Sequence, residues 1–392
     1  MATASDMRTE PMDEADETAL LDSIQRWLDR EVRPVIIEHD HEDKWPEKLV
    51  PQMAEMGLFG ATVGKQYGGL GLPATTYAKI VMLICSYWMS ISGIFNTHLI
   101  LCTAIEKFGT EAQKREWLPK LASGELRGGL ALTEPSGGTD LQGIRTVARR
   151  DGDYYVINGS KTWITNGIHG SVFALLVKTD PDAEPRYKGM SLFIAPKGEG
   201  FVTGKRLGKL GYKSIESAEL HFDDYRVPAD NLIGGEEGQG FFQATGGLEL
   251  GRINVAARGA GMAEGALKLA SDYAQQRETM GKPICEHQAI QLMLGEMVTR
   301  ARAARLLTLD AAEAYDGGAR CDMEAGMAKY FASEAARKNA EDSMRIHGGI
   351  GYSTEHHVER FYRDAMLTVI GEGTNEIQRI VISKQWVKRN PV

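Results

Sequence analysis

The spacing at which apolar residues recur divides this chain more sharply than any single motif does. Across residues 17–38, Leu20, Leu21, Ile24, Trp27, Leu28, Val32 and Val35 fall at helical spacing, with Pro34 marking a kink or an end. Helical spacing continues through 48–56, 75–87 and 96–108, separated by loops such as the glycine-rich 67–71. Near Gly129 it gives way to short β-branched and aromatic runs at 153–160, 172–178, 190–195 and 218–222. After Gly234, long alanine- and methionine-rich helical segments return at 253–277, 290–315 and 323–347, with Gly317 and Gly318 as a break. Segregated helices and strands of this kind define an α+β chain. The expected division is an acidic disordered start (1–17), a helical domain (18–128), a β domain (129–233) and a helical bundle (234–392).

Composition narrows the functions available. With 392 residues, 43% of them hydrophobic, the chain can bury a large core and fill two or three domains. A net charge of −8 argues against nucleic-acid binding, which needs a basic face to displace counterions. Apolar runs such as 80–85 are far too short to cross a bilayer, so no membrane insertion is expected. Residues 1–18 lack the basic start and apolar stretch of a secretory signal and the arginine-rich character of a transit peptide. Cys85, Cys102, Cys285 and Cys321 lie far apart without CxxC spacing, which fits reduced thiols of a cytoplasmic protein rather than a disulfide framework or zinc site. The stretch His39-Asp40-His41-Glu42-Asp43 has metal-ligand residue types but reads as a solvated loop after an amphipathic helix, as does His356-His357, and no metal is expected. Glycine clusters at 68–71 and 234–240, and Gly259, Gly261 and Gly265, do not follow a strand and open a helix as a dinucleotide fingerprint must. The last three lie inside a helical pattern, where small residues permit close packing.

Five segments carry more specific information. They are Leu132-Thr133-Glu134-Pro135-Ser136-Gly137-Gly138-Thr139-Asp140, Lys161-Thr162-Trp163-Ile164-Thr165-Asn166-Gly167, Arg277-Glu278-Thr279-Met280-Gly281-Lys282 with Gln288, His347-Gly348-Gly349-Ile350-Gly351, and Gly371-Glu372-Gly373-Thr374-Asn375-Glu376-Ile377-Gln378-Arg379. Each alone could be a turn or a cap. In this order, and within a helix, β, helix layout, they resemble the acyl-CoA dehydrogenase family from about Leu20 to the C-terminus. The resemblance implies an N-terminal helical domain, a middle β-barrel-like domain and a C-terminal four-helix bundle. It also implies a homotetramer, FAD as cofactor, an acyl-CoA substrate and an electron-transfer flavoprotein as acceptor.

Residue by residue, the resemblance implies that Leu132, Thr133, Gly138 and Thr139 meet the flavin ring and pyrophosphate, Thr139 also facing substrate. Trp163 would pack on the isoalloxazine and Thr165 bond near N5, although a tryptophan here could also be strand core. Arg277, Thr279, Met280 and Gln288 would reach the FAD of a neighbouring subunit, where an arginine offers a fixed fork to phosphate. Gly348, Gly349, Thr374 and Glu376 would complete that site, with Arg345 where glutamine is common. Arg252 would contact substrate, with a plain helix-surface arginine as the other reading.

Glu372 would be the catalytic base, flanked by Gly371 and Gly373 on the substrate side. Removing a proton α to a thioester needs a carboxylate held against that carbon and donors for the enolate oxygen. Some family members carry the base one residue before the arginine of the segment that here reads Glu249-Leu250-Gly251-Arg252; glycine stands there in this chain, which selects Glu372. Gly371 replaces a tyrosine common in straight-chain enzymes and predicts a wider pocket, for a branched, alicyclic or aryl-substituted acyl group. Residues 90–96, where a dicarboxylate-specific arginine would stand, hold no cation, so a dicarboxylic substrate is disfavoured. The alternative chemistries on this scaffold, acyl-CoA desulfinase or flavin monooxygenase, often lose the glutamate that Glu372 matches.

Overall fold

The computed structural model describes residues 12–392 apart from residue 247. The chain opens with α1 (Glu14–Trp27), capped by the Asp13 carboxylate, so the last four residues of the expected disordered start are helical; residues 1–11 lie outside the described part. Pro34 does not end the helical path. The missing N–H and the ring are absorbed by a wide turn over Leu28–Val32 and a tight one over Arg33–Val35, after which α2 (Ile36–Glu42) continues. Residues 39–42 are therefore helix and not solvated loop. Asp40 is buried and accepts an ion pair from Arg363 at 2.5 Å, which explains an acid in a position that reads as surface.

Then come α3 (Leu49–Glu55), α4 (Ala74–Tyr87), α5 (Met89–Phe108) and α6 (Glu111–Ala122), the last opened by a reciprocal Thr110–Gln113 capping box. The middle of the chain is a curled seven-stranded sheet: β1 (Gly128–Ala131), β2 (Val147–Asp151), β3 (Tyr154–Thr165), β4 (Val172–Lys178), β5 (Met190–Pro196), β6 (Phe201–Arg206) and β7 (Ser217–Pro228). Its order is β1-β4-β2-β3-β7-β6, with β5 also on β4; β1 runs parallel to β4, and β3 and β7 pair antiparallel. One face carries its own core of Tyr155, Ile157, Phe173, Leu175, Phe193, Leu220, Phe222 and Tyr225.

Helices return as α7 (Gly240–Gly246), α8 (Leu248–Gln276), α9 (Gln288–Asp316), α10 (Asp322–His347), α11 (Val358–Ile370) and α12 (Asn375–Arg389), with a hairpin of β8 (Glu278–Thr279) and β9 (Lys282–Pro283) joining α8 to α9. The glycines of α8 pack as expected. A Cβ on Gly259 would lie 2.7 Å from the Ala332 backbone of α10, and one on Gly261 would lie 2.2 Å from the Met82 carbonyl oxygen of α4. α8 thus touches backbone on two sides and is the axis on which the other helices are set. Among the described residues no helix is long and apolar enough to cross a membrane.

This packing gives a contrast between two glycines. Gly261→Val should destabilise by about 3 kcal/mol, because the Met82 carbonyl cannot retreat without moving α4. Gly295→Ala, on α9 with nothing within 4 Å of the added carbon, should stabilise by up to about 1 kcal/mol through helix propensity. Denaturant midpoints of the two variants should move in opposite directions.

Candidate active site

Two groups of the expected site residues are assembled by the fold, both against α5. The first is the loop after β1. Leu132 and Thr133 leave the strand, Glu134 and Gly137 close a tight turn, and Gly138 and Thr139 are exposed at its tip. Beneath the turn Glu134 accepts from Arg145 N at 2.6 Å, Thr146 N at 3.0 Å, Thr146 Oγ1 at 2.6 Å and Lys161 Nζ at 2.8 Å. Lys161 also donates to the Leu132 carbonyl at 3.0 Å. Burial, opposed by the adjacent carboxylate, brings the Lys161 ammonium down to about 8, and on Glu134 the effect of burial is outweighed by Lys161, Thr146 and the Arg145 amide, leaving its carboxyl below the usual range. A buried pair whose carboxylate accepts four hydrogen bonds fixes the loop rigidly.

Thr162 N donates to the Thr133 carbonyl at 2.8 Å, which sets Trp163 and Thr165 of β3 beside the same loop. Trp163 is 55% exposed with φ 62°. That excludes the strand-core reading: a left-handed tryptophan turned out of a sheet leaves an indole face free for a planar ligand.

The second group surrounds Glu372, on the connection between α11 and α12. Its backbone is in the left-handed region, φ 52°, followed by Gly373 at φ 85°, and Gln378 Nε2 donates to the Gly373 carbonyl at 3.2 Å. Thr374 caps α12 through its hydroxyl, and Asn375 is fixed by buried Lys329, whose Nζ donates to Asn375 Oδ1 at 2.9 Å. The connection is thereby aimed inward: although the residue as a whole is partly exposed, the Glu372 carboxylate is buried. Oε1 accepts from Asn96 Nδ2 of α5 at 3.2 Å, while Oε2 is buried with no partner. A Cβ on Gly251 of α8 would stand 2.4 Å from Oε2. Burial pushes the Glu372 carboxyl above the usual range, against the opposing pull of Arg258, Asn96 and Lys329.

The remaining expected residues are dispersed. Arg277, Thr279 and Met280 lie on the β8–β9 hairpin, with Gln288 at the start of α9; all four are exposed, Met280 at 95%. Nothing among the described residues ties them to the Trp163 loop. Arg345, at the end of α10, pairs with Asp342 at 3.4 Å, and Gly348 and Gly349 follow it on the exposed turn with open space about them. Glu376 pairs with Arg379 at 3.0 Å on the surface of α12. Arg252 is not a surface arginine: its side chain is 13% exposed, pairs with Asp322 at 3.3 Å and leaves Nε buried without a partner.

Comparison with known proteins decides what this arrangement belongs to. Three family models match the chain in succession: Acyl-CoA dehydrogenase, N-terminal domain, over residues 14–125; the middle domain, over 129–225; and the C-terminal domain, over 238–387. The chain belongs to the acyl-CoA dehydrogenase family. It is 43% identical to an acyl-CoA dehydrogenase of Bacillus subtilis (strain 168), across 91% of this chain and 93% of that one. It is 37% identical to a (2S)-methylsuccinyl-CoA dehydrogenase of Cereibacter sphaeroides, across 93% of this chain and 68% of that one. The solved butyryl-CoA dehydrogenase of Megasphaera elsdenii superposes with a TM-score of 0.92 at 35% identity, covering 96% and 99% of the two chains. Family members are FAD-dependent, and the protein is an oxidoreductase that dehydrogenates acyl-CoA thioesters. The rigid loop, the exposed indole of Trp163 and the buried Glu372 carboxylate offer hydrogen-bonding groups, a stacking face and a proton acceptor, the kinds of group that such a cofactor and substrate need.

Sequence reasoning missed Asn96, Tyr77, Asn254, Tyr212 and Arg258, which surround the carboxylate. Asn254 Nδ2 donates to Tyr77 Oη at 2.8 Å, Tyr77 Oη to Asn96 Oδ1 at 3.3 Å, and Arg258 Nη1 to Tyr212 Oη at 3.2 Å. A signal was present: Gly251, Asn254, Arg258, Gly261 and Gly265 fall three and four residues apart, so polar residues occupy the buried stripe of α8. Gly251→Ala tests the crowding at Oε2. The added methyl meets the flexible end of Glu372, so kcat should fall about 10-fold or more while the unfolding midpoint stays within about 0.5 kcal/mol of wild type.

Proposed function

We propose that Glu372 removes the α-proton of the bound thioester, and that the sealed, unpartnered Oε2 against Gly251 is the observation that carries this reading. A carboxylate with one oxygen tethered and the other buried without a donor is poised to take a proton, and its raised pKa increases its basicity near neutral pH. The Glu372 amide N–H, which no hydrogen bond among the described residues takes up, is the donor we assign to the thioester oxygen. The chemistry that bound FAD would supply is an acceptor for the β-hydrogen and its electron pair. Asn96 and Gln378 keep the base and its loop in register while water is excluded.

Leu132, Thr133, Gly138, Thr139, Trp163 and Thr165 hold the flavin of their own subunit in this reading. The exposed Arg277, Thr279, Met280 and Gln288 serve a neighbour's, with Arg345, Gly348, Gly349, Thr374 and Glu376, as a homotetramer would require. We take residues 18–128, 129–233 and 234–392 as the domains. The acceptor we propose is an electron-transfer flavoprotein, in keeping with the resemblance to the acyl-CoA dehydrogenases. Four free cysteines support a reducing, cytoplasmic setting.

We further propose an acyl group broadened beside the reacting carbons, with Arg252, Gly371 and Gly373 at its edge. The three heavy atoms nearest to a Cβ built on Gly371 all belong to Leu367, at 3.1, 3.7 and 3.9 Å, and a branched acyl thioester is what the name of the Cereibacter sphaeroides relative describes. Anaerobic titration of the FAD-containing enzyme should show bleaching by a branched acyl-CoA. In Glu372→Gln that bleaching should slow about 10^3-fold or more. Because the base acts deprotonated and its pKa is raised, the rate should fall as pH drops through a midpoint above the usual carboxylate range. Gly371→Tyr should lower the rate for branched substrates relative to linear ones; equal rates for the two would remove the broad-pocket reading.

A further inference from the structure

We propose that Arg258 is an anion subsite of the acyl pocket, so that the substrate is the CoA thioester of a short dicarboxylic acid. The inference rests on the reading of Glu372 as the base and extends it to the far end of the acyl group.

Arg258 is 5% exposed, and among the described residues no ion pair to a carboxylate is found for it. Its one side-chain bond is to the Tyr212 hydroxyl at 3.2 Å, and Nε is buried without a partner. A guanidinium cannot shed its proton, and a buried charge without a counterion is strongly disfavoured. The acidic groups that bear on it are the Tyr212 hydroxyl, the Cys85 thiol and Glu372. Burial pushes the thiol up to about 11 and raises the phenol as well, so both are neutral at physiological pH. Glu372 is left, and it loses its charge when it takes the α-proton. A lasting counterion has to arrive with the substrate.

The position suits that role. Gly251, Asn254 and Arg258 share one face of α8; the first meets the Glu372 carboxylate, the second Tyr77 and the third Tyr212. The Tyr212 hydroxyl lies over Gly93 of α5, where a Cβ would be 1.6 Å away, and Gly93 is one turn before Asn96, the partner of the base. Three residues to one turn advance about 4.5–5.4 Å, the span of roughly four carbon–carbon bonds of an extended acyl chain. Along this strip three buried atoms lack partners: Glu372 Oε2, Asn254 Oδ1 and Arg258 Nε. The Asn254 carboxamide presents its oxygen or, flipped, its NH2, so it can donate to a carboxylate held by Arg258. The absence of a cation from residues 90–96 disfavoured such a substrate on sequence grounds; the fold supplies the cation from α8.

The test compares succinyl-, methylsuccinyl- and glutaryl-CoA with butyryl-, 2-methylbutyryl- and valeryl-CoA, using the FAD-containing enzyme. At least one dicarboxylic thioester should exceed its uncharged counterpart in kcat/KM by about 30-fold or more. Arg258→Gln should reduce that ratio about 100-fold, and Arg258→Lys should restore part of it. Calorimetric binding to the Glu372→Gln holoenzyme should show the same preference without any chemistry. The proposal is overturned if wild type handles the uncharged series as well or better, or if Arg258→Gln depresses both series equally while moving the acid limb of the pH profile. Oxidation of uncharged thioesters that Glu372→Gln abolishes would leave the base assignment standing while the carboxylate subsite falls. If neither series is oxidised, the binding preference still decides on Arg258.

Discussion

The contact between a carboxylate and the space above a glycine organises this protein. Glu372 comes from the last connection of the chain, Gly251 from the start of its central helix and Asn96 from α5, and only the folded bundle brings the three together. A side chain at 251 would occupy the place of the carboxylate oxygen. The two positions therefore cannot both carry a carboxylate into this space. Sealing the carboxylate from water raises its proton affinity, and the nearby cations limit how far.

The remaining architecture keeps that contact stable and open to ligands on the proper side. α8 meets α4 and α10 at backbone distance through Gly261 and Gly259, which removes slack from the wall carrying Gly251, Asn254 and Arg258. On the sheet side, the Glu134–Lys161 pair is spent on holding a loop whose tip remains exposed. Rigid support of this kind, beneath an exposed loop on one side and behind a buried carboxylate on the other, is what a site that must hold two ligands in register requires. The exposed hairpin that carries Arg277 belongs to neither assembly within the chain.

Much of this was legible in the residues because the motifs are local. The loop 132–140, the 161–167 strand end and the Glu372 connection each act through consecutive residues, and the periodicity placed β4 at Val172–Lys178 and α10 near Asp322–His347. What was illegible depends on three-dimensional pairing. The start of α5 at Met89 was missed because a helix buried on every side shows no polar face from which to read a period. Asp40 read as solvated since its partner, Arg363, is more than three hundred residues away. Arg258 is illegible for the same reason: Tyr212 and Glu372, the groups that bear on it, come from segments far away in the chain.

The most direct measurement is proton exchange at Cα. An acyl-CoA thioester of the accepted class, incubated in D2O with the reduced holoenzyme so that no oxidation follows, should acquire deuterium at Cα as observed by NMR. Exchange should accelerate with pH through a midpoint above the ordinary carboxylate range and disappear in Glu372→Gln. Exchange that persists in the variant at an undiminished rate would show that another group removes the proton and would contradict the account.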